Sequence, residues 1–311
     1  MTYGIIDLGS NTIRLSIFKY NDKNIKLVSN KKIIVGLAAY VKDGGLTSEG
    51  IERACLALNK LKETLLNSNI ENYSVFATAS LRNINNREAV LNIIKEKTEL
   101  VPEILFGDEE ARLDFIGVKN SFALDKGVLV DIGGGSTEIV LFENGEIKRL
   151  TSIPLGALNI QNRCTYGIVP EEKEIKKIKK IINKALDELQ WECESDYPQM
   201  FAIGGTSRAS LEVAKELYDV SPESINFTRL ELKSILKKLK SDEPEEYKSV
   251  YRIIPDRIFS FAGGVTILNE ITKKFGCEII TISKNGIREG YFIDRIISKM
   301  ESDENEPTEE I

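Results

Sequence analysis

The chain has 311 residues, 42% hydrophobic and 29% charged, which fits an ordinary globular protein of two domains at the usual domain size. Its net charge of −6 argues against nucleic acid as a partner, and no run of about 18 apolar residues suggests a membrane span. There is no histidine, so Ser–His–Asp and Cys–His catalysis, phosphohistidine intermediates and His-ligated metals are excluded. Acid–base work falls to carboxylates, Lys, Tyr or Cys. The N-terminus enters a strand directly, without the pattern of a signal peptide. Cys55, Cys164, Cys193 and Cys277 are too widely spaced for a zinc site or a disulfide framework, and a reducing cytoplasm is the expected compartment.

In chain order, the sequence predicts strands over 3–7, 13–20 and 25–35. Thr47 reads as the N-cap of a helix with Glu49 in its first turn, and Ile51, Ala54, Cys55, Leu58, Leu61 and Leu65 keep a 3.6 period along it. A strand over 74–79, a helix after Asn86, a strand over 103–106 and a helix from about Asp108 follow. The second half restarts with strands over 127–132, 137–142 and 146–151. Pro170 opens a long charged helix to about Trp191. Next come a strand over 200–203, helices near 207–216 and 229–240, and a helix from Pro255 to about Lys274. A strand over 278–282 and a helix over 287–300 end the pattern. Residues 301–311 are acidic and aperiodic and read as a disordered tail. The expected domains are 1–122 and 123–300, with the last helix packing back on the first.

One signature occurs twice. GIIDLGSNTIRLSIF, from Gly4 to Phe18, and VLVDIGGGSTEIVLF, from Val128 to Phe142, align Asp7 with Asp131 and Gly9 with Gly133. Each is an apolar strand ending in Asp, a turn of Gly, Ser and Thr, and a second apolar strand. Such a hairpin turn presents backbone N–H groups and small hydroxyls that can wrap a phosphate. A lone copy could equally be a tight turn needing glycine, but two copies, one per half, suggest a cleft with a phosphate loop on each wall. Further glycine turns stand at Gly204-Gly205 and, within a predicted helix, at Gly263-Gly264. None fits the P-loop or the dinucleotide fingerprint.

Between the two loops a predicted strand ends at Gly107 and a helix opens with Asp108, Glu109 and Glu110. Acidic residues in a first turn suit the helix dipole and by themselves require no catalytic role. Taken together, however, DLGSNTIRL, ATASLRNINN, GDEEARLDFIGV, DIGGGSTEI, AIGGTSRA and NGIREG resemble the motifs of the exopolyphosphatase/guanosine pentaphosphate phosphohydrolase (Ppx/GppA) family, in the same order. The resemblance implies an α/β fold of two actin-like domains, of the sugar kinase/Hsp70/actin superfamily and ribonuclease H-like, flanking a phosphate-binding cleft. It implies Glu110 as the catalytic residue. It implies phosphate binding by Gly9, Ser10, Asn11, Arg82, Gly133, Gly134 and Ser136, and Mg2+, with Mn2+ as the alternative, held through Asp131 and Asp7. Arg82 could equally be a structural ion pair, and Arg14 and Arg288 match family positions as well. The chain lacks the C-terminal helical HD-like domain of long members, which agrees with the absence of histidine, so a short form is expected.

The implied activity is release of terminal phosphate from inorganic polyphosphate or guanosine pentaphosphate, by water that Glu110 orients. A homodimer is expected, with no nucleic acid and no membrane as partner. The competing readings are a non-hydrolytic nucleotide- or alarmone-binding switch and a kinase-like transferase on the same fold. For a polyanionic substrate, Lys31, Lys32, Arg14, Arg82, Lys284 and Arg288 are expected to form a basic strip on an otherwise acidic surface.

Overall fold

The computed structural model describes residues 1–167, 169–191, 196–241 and 243–305. Cys193 and the last part of the expected tail, 306–311, lie outside the described residues. The chain divides into two compact units, Met1–Glu110 and Ala111–Ile311.

The first unit opens with an antiparallel meander of β1 (Thr2–Leu8), β2 (Thr12–Asn21) and β3 (Asn24–Ile34). A 3-10 turn (Leu37–Tyr40) and the small hairpin β4 (Val41–Lys42) and β5 (Gly45–Leu46) lead to α1 (Ser48–Asn67). The Thr47 side chain accepts from the Gly50 N–H at 3.3 Å, the cap that the sequence predicts. Then follow β6 (Tyr73–Ala77), α2 (Ala79–Arg82), α3 (Arg87–Thr98) and β7 (Glu103–Ile104). The five-stranded sheet runs β3-β2-β1-β6-β7, with β6 parallel to β1 and to β7. Alternation along β1 and β2 sends Ile6, Leu8, Ile13 and Leu15 to the face where Ala54, Leu58, Leu61 and Leu65 of α1 complete the core. Asp7 and Arg14 therefore take the opposite face.

Helix α4 (Gly107–Lys119) crosses from one unit to the next, because the division falls between Glu110 and Ala111. Beyond that point its residues Ala111, Phe115 and Val118 join Leu129, Val140, Phe142 and Phe201 in an aromatic-rich core of the second unit. That packing is why the compact units part inside the helix, whereas the sequence suggests a change after it, at 122/123.

The second unit repeats the meander with β8 (Lys126–Ile132), β9 (Thr137–Glu143) and β10 (Glu146–Ile153). After it come α5 (Ala157–Cys164), α6 (Glu172–Glu188), β11 (Gln199–Ile203) and α7 (Gly204–Leu217). Next are β12 (Asn226–Thr228), α8 (Arg229–Leu239), α9 (Pro244–Ile253) and a 3-10 turn (Pro255–Arg257). The chain then forms α10 (Phe261–Lys274), β13 (Ile279–Ile282), α11 (Ile287–Tyr291), a stretch of π-helix (Phe292–Ile297) and α12 (Ser298–Asn305). The sheet order is β10-β9-β8-β11-β13-β12. Its first five strands match β3-β2-β1-β6-β7 one for one, down to a register shift in the pairing of each edge strand of the meander. The larger core lies on the other face, where Val128, Val130 and Ile132 meet Val213, Phe261, Val265 and Leu268.

The strand expected over 74–79 stops at Ala77, before α2, and two helical segments also differ from the sequence reading. The expected helix from Pro255 begins as a 3-10 turn, and α10 starts only at Phe261, after Ser260 takes φ −143°. The last helix runs to Asn305, into the expected tail, where Glu301 and Glu304 are good helix formers.

Candidate functional site

The duplicated signature folds into duplicated turns. The Gly9 N–H donates to the Thr12 carbonyl at 3.1 Å, and the Gly133 N–H to the Ser136 carbonyl at 3.0 Å. Gly9 and Gly133 thus spend their donors inside the turn. The carbonyls of Ser10 and Asn11 accept from Ala38, Val35 and Gly36, at 2.9, 3.0 and 2.9 Å. Those of Gly133 and Gly134 accept from Ala157, Leu158 and Asn159, at 2.8, 3.1 and 3.1 Å. A trans peptide points its N–H opposite to its C=O. With the carbonyls held by the following segment, the N–H groups of Asn11 and Thr12 in one turn, and of Gly134 and Gly135 in the other, point the opposite way. Two successive donors of this kind form an anion-binding concavity. Ser136 is buried beneath its turn.

Both turns stand at the C-terminal ends of parallel strands, where open α/β sheets bind ligands. In the first unit Leu8, Ala77 and Ile104 end β1, β6 and β7 side by side. The Ser80 hydroxyl donates to the Leu8 carbonyl and ties α2 to the first turn. Arg82, at the end of α2, donates from Nη1 to the Leu105 carbonyl at 3.0 Å and to Oε2 of Glu110 at 2.7 Å. The two side chains are 11% and 10% exposed, so this is a charge-assisted pair shielded from water. Arg82 and Glu110, far apart in sequence, are thus one structural element. The guanidinium therefore lies directly against the Glu110 carboxylate.

In the second unit the site gathers residues that the sequence reading did not single out. Asp131 stands directly opposite Glu138 across β8 and β9, and Glu138 is almost fully buried, with the Ser152 hydroxyl donating to Oε1 at 2.7 Å. The signal was present in the repeat, since Glu138 occupies the place of Arg14. Gly204 opens α7 at φ +92°, and a Cβ there would stand 2.7 Å from Asp131 Oδ1, so the helix N-terminus closes directly on that carboxylate. The Arg257 guanidinium lies flat against Gly205. Burial pushes its pKa below the ordinary value, with Asp256 opposing, yet an arginine stays charged at any physiological pH. Only the tertiary fold brings Arg257 to Gly205. Among the described residues no group of three or more Cys, Asp or Glu converges on one point. The Asp131–Glu138 pair still fits Mg2+, which takes one or two carboxylates and completes its shell with water and phosphate oxygens.

The expected basic strip divides. Lys32 pairs with Arg14 and so takes the face of Asp7, whereas Lys31 pairs with Leu15 and its Nζ donates to Thr64 Oγ1 on α1 at 2.9 Å. Cys277 is buried, and burial pushes its thiol up to about 12, which leaves it inert as a nucleophile. No helix among the described residues is long and apolar enough to cross a membrane.

The model of the Ppx/GppA phosphatase family matches residues 16–299. The chain belongs to this family. Among curated proteins it is similar to a bifunctional 3-dehydroquinate synthase/phosphatase of Fusobacterium nucleatum, at 29% identity over 94% of this chain and 46% of that protein. It is also similar to a guanosine-5'-triphosphate,3'-diphosphate pyrophosphatase of Vibrio parahaemolyticus, at 26% identity over 97% of this chain and 60% of the relative. The chain thus spans about half the length of these relatives. The crystal structure of an exopolyphosphatase from Cytophaga hutchinsonii superposes with a TM-score of 0.81 at 21% identity, over 94% of this chain and 97% of that one. At that identity the likeness shows the fold, and the fold is the expected α/β one.

Proposed function

We propose that this family member releases terminal phosphate from inorganic polyphosphate or guanosine pentaphosphate, with Glu110 as the general base. The observation that carries the reading is the shielded Glu110–Arg82 pair, at the C-terminal ends of β6 and β7 and tied by Ser80 to the first turn. Glu110 accepts a proton from water as the water oxygen attacks the terminal phosphorus. The bridging P–O bond breaks, and its electron pair leaves with the shortened polyphosphate or nucleotide. In such a reaction the protein mainly positions water and neutralises charge. The outward N–H groups of the turns, with the Ser10 hydroxyl, suit the phosphoryl oxygens, and Arg82 adds charge beside the base. Asp131 and Glu138 would hold Mg2+. Mg2+ at that carboxylate pair would supply positive charge to offset that of the phosphate groups.

Phosphate release from long polyphosphate, short polyphosphate and guanosine pentaphosphate, each with and without Mg2+, tests the reading. Mg2+-dependent release from at least one of them is expected. Tight binding of guanosine pentaphosphate with no release from any substrate would replace it by the non-hydrolytic switch.

A further inference from the structure

The helix that carries Glu110 is gripped at a place the proposed reaction does not touch. Within the second unit, α4 and α11 meet backbone to backbone. Gly117 stands against the Gly286 carbonyl and Gly290 against the Leu113 carbonyl, each too close for a Cβ to fit on the glycine. The pairs 117/286 and 113/290 step four residues down one helix for four up the other, so the two run antiparallel. One more step along the C-terminal helix reaches Asp294, level with the start of α4.

There Arg112 meets it. Nη1 lies 2.8 Å from Oδ1 and Nη2 2.7 Å from Oδ2, a two-pronged pair that fixes orientation as well as distance. Donating to Asp294 also raises the pKa of the Arg112 guanidinium. Asp294 sits in the stretch of π-helix Phe292–Ile297, a rare geometry often met at functional sites. The side chains are 38% and 22% exposed, and a pair so open to water contributes little to stability.

Arg112 is two residues after Glu110, about 200° around the helix. The grip is therefore behind the helix and the carboxylate in front. We propose that Arg112 and Asp294 are positioning residues, a fork that fixes the rotation and height of the first turn of α4 and so aims the Glu110 carboxylate. This rests on the reading of Glu110 as the base.

The fork predicts a split between kinetic constants. A misplacement of about 1 Å can cost roughly 10²-fold in rate. Arg112→Ala and Asp294→Asn should each lower kcat by about 10- to 100-fold, with KM changed less than about twofold, as for an interaction felt only in the transition state. Thermal melting, used to correct kcat for the folded fraction, should shift by only a few degrees. The double variant should be no worse than either single one, because both remove the same fork. Arg112→Lys should recover part of the rate, since lysine keeps the charge but loses the fork.

Two results overturn the inference: wild-type kcat in the corrected single variants, or losses that multiply in the double variant. Glu110→Gln, measured beside them on the same substrate, separates the two levels. Turnover retained in Glu110→Gln removes the base assignment and this inference with it. Turnover lost in Glu110→Gln but kept in Arg112→Ala removes the fork alone.

Discussion

The two glycine hairpins share a backbone but differ in charge. In the first, the residue opposite Asp7 is Arg14, and Lys32 continues the row on the next strand. In the second, the residue opposite Asp131 is Glu138. Opposite charges across a strand pair stabilise each other, and like charges there repel until a cation relieves them. The duplicated scaffold thus places a cation-rich row on one turn and an anion pair on the other. Under the proposed function, the first would suit a negatively charged substrate and the second a metal. The register is the same in both, since the seventh residue after each Asp stands directly beside it, so the residue type at that position sets the difference.

The largest expected effect lies in the first unit. Glu110→Gln should lower kcat by about 10²- to 10⁴-fold, the usual cost of losing a general base. Its circular-dichroism melt should match the parent, and near-parental kcat would remove the base from the mechanism.

The contrast between the hairpins can be broken directly. Asp131→Asn and Glu138→Gln should raise the Mg2+ concentration needed for half-maximal rate on the order of 10²-fold, as a metal contact to phosphoryl oxygen is worth several kcal/mol. Arg14→Gln should raise KM and leave the Mg2+ requirement where it was. A Mg2+ titration shifted equally by all three would mean that the turns do not divide the work.

Stability offers a second contrast. Gly36, beside the first turn, has φ +67° with open space around its Cα, whereas Gly204 has φ +92° and crowds Asp131 and Ile132. Left-handed backbone costs a residue with a side chain about 1–2 kcal/mol, so Gly36→Ala should lose that much and Gly204→Ala more. Denaturant midpoints at unchanged slope would measure both, and equal losses would mean that the crowding relaxes freely.

Smaller effects should separate neighbouring lysines. Lys32→Glu should lower kcat/KM on long polyphosphate several-fold at low salt, an effect that fades as the Debye length shrinks below about 8 Å. Lys31→Glu, on the other face, should not. Equal losses in both would restore a single continuous strip.

The smallest effect concerns pH. Burial alone would raise the Glu270 carboxyl, but hydrogen bonds from Asn183, Asn269 and Lys179 and the Lys179 charge outweigh it and hold its pKa below the ordinary value. A carboxyl with a depressed native pKa stabilises the fold above its unfolded value, and that contribution is lost as pH falls through the native one. Melting at pH 7 should therefore drop slightly in Glu270→Gln, and the difference from the parent should vanish in acid. In the first unit the Glu99 carboxyl is also lowered, by Lys62, but it is exposed, and Glu99→Gln should leave melting unchanged.

The order of strands and helices, the twin turns and the family were legible in the sequence, because periodicity, capping and glycine placement are local. The Thr47 cap and the α1 stripe form where the pattern puts them. Short elements such as α5, α9 and β12 were not legible, since so few residues carry too little periodicity to stand out. Of the candidate site, the sequence determined which residue types sit on the two turns, and through the repeat it held the opposition of Arg14 to Glu138. It did not determine that Arg82 clasps Glu110, that Arg257 lies on Gly205 or that Arg112 forks onto Asp294. Those pairs join residues 28, 52 and 182 positions apart. Only the packed sheets and helices bring such distant side chains within hydrogen-bond or van der Waals reach, and no local pattern encodes that closure.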